Sequence, residues 1–135
     1  VQTCALPICS FFLSCEYTLS LEMIFSYVML PFSWLLGIVK CDILPAAALI
    51  GIKTIVNEMV AYTRMATLCL DSSTVVILTY ALCGFANLSS IGIQVGAIGT
   101  LEPSVRGTLS KLGLKAVFAA LCANLLIACV VGLFL

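Results

Sequence analysis

Two short stretches hold the side chains of this chain that could do chemistry. One is "NEMVAY" (residues 57–62) and the other "GFANLSSIG" (residues 84–92). Glu58 lies in a largely apolar segment. A carboxylate at bilayer depth costs at least a few kcal/mol, so it needs a partner, a water-filled cavity or a function. Asn87 lies in a charge-free run, residues 72–101, with Ser89 and Ser90 beside it and Gln94 further on. Asparagine offers two donors and an acceptor, serine a donor and two lone pairs, and an ionised glutamate accepts only. That set suits a neutral, polyhydroxylated ligand and repels an anion. Two plainer uses compete with ligand binding. Lys53 and Arg64 flank Glu58 and could hold it in an ion pair, and Asn87, Gly92 and Gly96 could serve only to pack helices closely. Catalysis has less to draw on. The chain has no histidine, it shows no metal-ligand spacing and no paired carboxylates at depth, and it is read as not an enzyme.

Composition says what kind of element must position these groups. Of the 135 residues 63% are hydrophobic and only 9% charged, and mean hydropathy is +1.26. Soluble domains carry about 25% charged residues. A chain this apolar cannot cover its own surface in water, so it is an integral membrane protein or a piece of one. Zero formal net charge gives no basic footprint for nucleic acid. The eight cysteines form no C-x-x-C pair and several lie in apolar runs, which reads as small buried hydrophobes rather than disulfides or a metal site.

The chain divides by hydropathy into four parts. Residues 114–135 read as a final transmembrane helix, since about 20 apolar residues span a bilayer. Asn124, the strongly polar side chain within it, is expected to hydrogen-bond a neighbouring helix. Residues 75–100 form a second helix, with Asp71 before it as a cap and with Asn87 at its midpoint. Between the two, Arg106, Lys111 and Lys115 mark a cytoplasmic loop. Residues 41–70 carry two apolar arms of about ten residues, each roughly 15 Å as helix, around a polar centre holding Lys53, Asn57 and Glu58. Half-bilayer arms of this kind suggest a re-entrant hairpin, which is tolerated at depth only inside protein or beside a water-filled cavity. A surface helix or one full span are the other ways to read it. Residues 19–38 are either a kinked span, because Pro31 interrupts the backbone ladder, or an interfacial helix anchored by Tyr27 and Trp34. Residues 1–15 fit poorly with the rest and read as a doubtful segment, an assembly artefact translated at the start.

A short broken hairpin followed by a helix with a polar midpoint is the arrangement in which secondary transporters build midplane binding sites. The motifs sharpen this. "NEMVAY" resembles the N-E-F-V-A-Y motif of the concentrative nucleoside transporter family, and "ALCGFANLSSIGI" (residues 81–93) resembles its A-L-C-G-F-A-N-F-S-S-I motif. "FSYVMLPFSWLLG" and "GIKT" are similar to further family stretches, and the likeness covers about residues 19–135.

The resemblance implies the C-terminal part of such a transporter, the second inverted repeat of its transport domain. The fold implied is all-α and integral to the membrane: surface helix 19–38, re-entrant hairpin 41–70, broken helix 75–100 and final helix 114–135. It implies that Glu58, Asn87 and Ser90 contact the ribose of a nucleoside such as uridine and that Phe85 lies beside it, with Asn57 and Ser89 as further contacts. It implies a sodium ion or proton as coupling ion, bound mainly outside this chain, and no other cofactor. It implies the N-terminal half of the transporter as partner, a homotrimer at full length, and a multi-pass plasma (inner) membrane location. Met59 and Leu88 replace phenylalanines of the family motifs, and the link between the motifs is shorter than usual. A small membrane protein that packs with other helices without transporting is the competing expectation.

Overall fold

The computed structural model describes residues 21–135. The segment 1–15, with Cys4, Cys9 and Cys15, lies outside them. The described residues form helices without strands: α1 (Leu21–Leu35), α2 (Ile43–Ile55), α3 (Glu58–Met65), α4 (Ser72–Leu82), α5 (Leu88–Leu101), a 3-10 turn (Pro103–Val105) and α6 (Arg106–Gly132).

α2 is at the centre. Ala46, Ala47, Leu49, Ile50 and Ile52 are all buried, so the helix is apolar around its whole circumference, as a core helix must be. Its small residues let neighbours come close. A Cβ on Gly51 would lie 2.9 Å from both the backbone nitrogen and the hydroxyl of Ser26, so α1 and α2 pack backbone to backbone there. α1 runs through Pro31 without ending and stops at Gly37, whose φ of +77° is left-handed and suits a glycine terminator. At 15 residues it is about 22 Å long, too short to span a bilayer. Trp34 is 67% exposed.

α4 closes the other side of the core through Ile77, Leu78, Ala81 and Leu82, joined by Leu121, Leu125 and Ala128 of α6. Asp71 caps α4 by accepting from the Ser73 amide at 3.0 Å, as expected. The same carboxylate accepts the Ser73 hydroxyl at 2.6 Å, and these bonds hold its pKa below the ordinary value.

Three expectations are corrected. The basic segment after α5 is helix, not loop: α6 begins at Arg106, where the sequence reading began it at 114. The start signal was present, since Glu102 accepts from the Ser104 amide and hydroxyl and Pro103 occupies the first helical position, where proline is favoured. The stretch Pro103–Gly132 is also the one helix among the described residues long and apolar enough to cross a membrane. Gly92 and Gly96, read as a packing pair, face open space, whereas Gly113 of α6 is the close contact, its Cβ position 2.6 Å from Ile91 of α5. Among the described residues no cysteine is fully buried: Cys41, Cys69 and Cys83 are exposed, and Cys122 and Cys129 are half-buried, with Cys129 packed against the core.

Asn124 lies against Gly84 rather than in an ordinary helix–helix contact. A Cβ on Gly84 would come within 2.6 Å of the Asn124 side chain, and Gly84 has φ +148°. Gly84→Ala is therefore strained twice, by sterics and by backbone, at about 1–3 kcal/mol for the backbone alone. The thermal midpoint of the chain in detergent should fall. Adding Asn124→Ala should recover only the steric part, so full recovery in the double variant would rule out the backbone strain.

Candidate functional site

The site is where two helix breaks meet. The first separates α2 from α3 at Val56 and Asn57. Val56 leaves helical geometry and Asn57 is fully extended, and the Asn57 side chain accepts from the Val60 amide at 2.9 Å. The second break spans residues 83–87 between α4 and α5, and Asn87 there is also extended and also an N-cap. Each half-helix therefore begins on an asparagine, a residue favoured at that position because its side-chain oxygen satisfies an orphan amide.

Asn87 joins the two breaks. It is 3% exposed. Its Oδ1 accepts from the Ser90 amide at 2.8 Å and lies 2.9 Å from the Ser89 hydroxyl, while its Nδ2 donates to Glu58 Oε2 at 3.1 Å. Ser89 Oγ is also 2.7 Å from the Val56 carbonyl, one of the acceptors freed where α2 ends. The Ser90 hydroxyl donates to the Asn87 carbonyl at 2.7 Å and lies 3.3 Å from that of Phe85. Of the six residues picked from the sequence, Glu58, Asn87, Ser89 and Ser90 thus form one hydrogen-bonded group, and Asn57 caps α3 beside it. Phe85 is 82% exposed.

Glu58 is not held by an ion pair with Lys53 or Arg64. It takes its hydrogen bond from Asn87, and fully buried Lys53 donates to the Ala81 carbonyl at 2.9 Å. Tyr62, from the same short helix as Glu58, donates its hydroxyl to the Thr79 carbonyl at 2.7 Å. Lys53 and Tyr62 were missed as site residues. The signal that could have found them is the break itself: a helix stopped at Leu82 leaves its last carbonyls without intrahelical donors, and something nearby must supply them.

The charges follow the helix ends. N-termini carry partial positive charge and C-termini partial negative charge. Glu58 sits in the first turn of α3 and is bonded to the residue that caps α5, so two positive ends share one carboxylate. The arrangement offers a half-exposed carboxylate with unused lone pairs, backed by fixed dipoles and open on one side. It can accept hydrogen bonds from hydroxyl groups of a neutral ligand. Nothing in it provides a nucleophile with an adjacent base.

Broken helices packed about a polar, half-buried centre define a membrane transport fold, and comparison with known proteins agrees. Residues 6–132 match the family described as "Na+ dependent nucleoside transporter C-terminus"; the match begins inside the segment 1–15 set aside above. The chain belongs to this family. It is 44% identical over 118 residues to the uncharacterized transporter YutK of Bacillus subtilis, covering 86% of this chain and 29% of that protein. It is 40% identical over 121 residues to the putative nucleoside permease NupX of Escherichia coli, covering 86% and 29%. A structure of CNTnw in an inward-facing substrate-bound state superposes with a TM-score of 0.76 at 36% identity, covering 86% of this chain and 30% of that one. The chain thus spans under a third of the length of these relatives. They are transporters and permeases, not enzymes, and the family is a membrane family.

Proposed function

We propose that this chain supplies half of the nucleoside-binding site of a cation-coupled nucleoside symporter, with Glu58 and Asn87 as its main contacts to the ribose hydroxyls. The observation that carries this reading is the Glu58–Asn87 hydrogen bond across two helix breaks. It fixes a carboxylate and an amide side by side, which suits a vicinal diol: one partner accepts strongly, and the other can donate and accept. Ser89 and Ser90 add hydroxyls at the edge. Phe85, exposed in the free chain, closes over the ligand. Asn57 acts through its cap, by fixing the turn that presents Glu58.

In this reading α2 and α3 form a re-entrant hairpin, α4 and α5 a broken transmembrane helix, α6 a final span and α1 a surface helix, in the plasma (inner) membrane. The N-terminal half of the transporter supplies the base-reading groups and the main site for a sodium ion or proton, and the whole assembles as a homotrimer. Coupling needs only that cation and nucleoside raise each other's affinity.

The test compares two preparations in liposomes: the chain alone, and the chain joined to the upstream part of the Bacillus subtilis relative. Cation-driven uridine uptake is expected from the joined protein and none from the chain alone. Uptake by the chain alone would show that the site is complete within it and overturn the half-site reading. A joined protein that inserts, assembles and transports no nucleoside would favour a membrane protein that packs without transporting.

A further inference from the structure

α4 ends inside the protein. Its last turn needs donors for carbonyls that no longer have an i+4 amide, and in a membrane water cannot supply them. Cys83 N bonds the Thr79 carbonyl at 3.2 Å and Tyr62 adds its hydroxyl to the same oxygen. Ala81 is buried, with no exposed surface, and its carbonyl receives the ammonium of Lys53, itself fully buried. Lys53 also stands in the last turn of its own helix, α2. One ammonium, carried by the last turn of α2, therefore faces the C-terminal end of α4 and its partial negative charge.

The C-terminal ends of broken membrane helices, with their freed carbonyls, are where transporters hold small monovalent cations. Here the chain fills that place itself. We propose that the Lys53 ammonium is a tethered cation occupying, from within the chain, the monovalent-cation site made by the C-terminal end of α4 where it faces the last turn of α2. Glu58 adds a favourable charge interaction without a direct ion pair, and the end of α4 with its Ala81 carbonyl supplies the rest of the negative potential. Two consequences follow. This half of the protein carries a tethered cation where a free ion would come and go, so the break at residues 83–87 is held without an ion from outside. And removing the ammonium leaves a vacancy with the chemistry of a cation site. Lys53 is a positioning residue: it touches no ligand, but it holds the end of α4 from which residues 83–87 lead to Asn87 and its bond to Glu58.

The test reads stability, not transport, so it stands apart from the uptake experiment above. Thermal midpoints of the intact chain in detergent are measured for the natural sequence, K53M and K53A, each with sodium chloride and with methylammonium chloride at equal ionic strength. Loss of a charged hydrogen bond from a buried carbonyl should lower both variants by about 5–10 °C. Methylammonium, the terminal fragment of the lysine side chain, should raise K53A by several degrees over sodium chloride. It should leave K53M, whose side chain still fills the space, and the natural chain unchanged. A K53M midpoint equal to that of the natural chain would overturn the proposal. So would a K53A midpoint that no monovalent cation raises, or one raised no more than the natural chain's. If K53A is too unstable to purify, K53G or K53A made in membranes with methylammonium throughout gives the same reading: recovery of folded protein only with the amine supports a cation site, and equal recovery without it refutes one.

Discussion

Glu58→Gln, in the chain joined to the upstream part of the Bacillus subtilis relative, is expected to lower uridine uptake at limiting uridine roughly ten- to a hundredfold. Membrane insertion and thermal midpoint should change little. The substitution is nearly isosteric, and a glutamine oxygen can still accept from Asn87 Nδ2, now at 3.1 Å from Glu58. What it loses is charge on the acceptor offered to the ligand. A hydrogen bond to a charged group contributes about 1.5–3 kcal/mol, and that range sets the expected loss. The effect should appear as a raised half-saturation concentration with maximal rate largely kept, because the interaction exists already in the bound ground state. Uptake equal to that of the natural sequence would remove Glu58 from the ligand. A collapse of stability would assign it to the scaffold instead.

How far the sequence foretold the site depends on which atoms were asked about. The polar centre of residues 41–70 marked the first break, because a half-length apolar arm has few ways to satisfy its backbone; the second showed only as a polar midpoint at Asn87, and the family resemblance implied that it was broken. Asp71 was legible as a cap from its position before a helical run. Glu58 and Asn87 were legible as a pair only in the sense that both were costly where they stood. The bond between them joins residues 29 positions apart, and no local pattern reports such a contact. Lys53 shows the limit most clearly. Proximity in sequence suggested Glu58 as its partner, five residues away, yet it points to Ala81, 28 residues away. The helix geometry decides this: Lys53 closes α2 and reaches the C-terminal end of α4, whereas Glu58 opens α3 and meets the N-cap of α5. The start of α6 failed for another reason. Three basic residues looked like a loop by charge, but a capping acid, a proline and a serine in order outweigh them.

Asn87 is the position at which capping and ligand chemistry can be pulled apart, and Asn87→Asp is the variant that does it. Aspartate caps helices as well as asparagine does, so the start of α5 and the Ser90 amide bond survive. Its carboxylate, however, would stand about where Nδ2 now donates to Glu58, 3.1 Å away. Two charges at that distance repel by on the order of 5 kcal/mol at an effective dielectric constant of about 20, and the site loses its donor as well. Asn87→Ser keeps a good cap and shortens the side chain, which withdraws the donor from Glu58. Asn87→Ala deletes both, at about 0.5–2 kcal/mol for the cap. If the Glu58 contact governs binding, uptake in the joined protein should fall in the order natural, Ser, Ala, Asp, with Asp near background although it reaches the membrane. If capping governs, Asp should be the mildest of the three and Ala the worst. Uridine uptake, normalised to the amount of each variant in the membrane, separates the two orders. Retained uptake in Asn87→Asp would mean that Asn87 and Glu58 do not meet in the working protein.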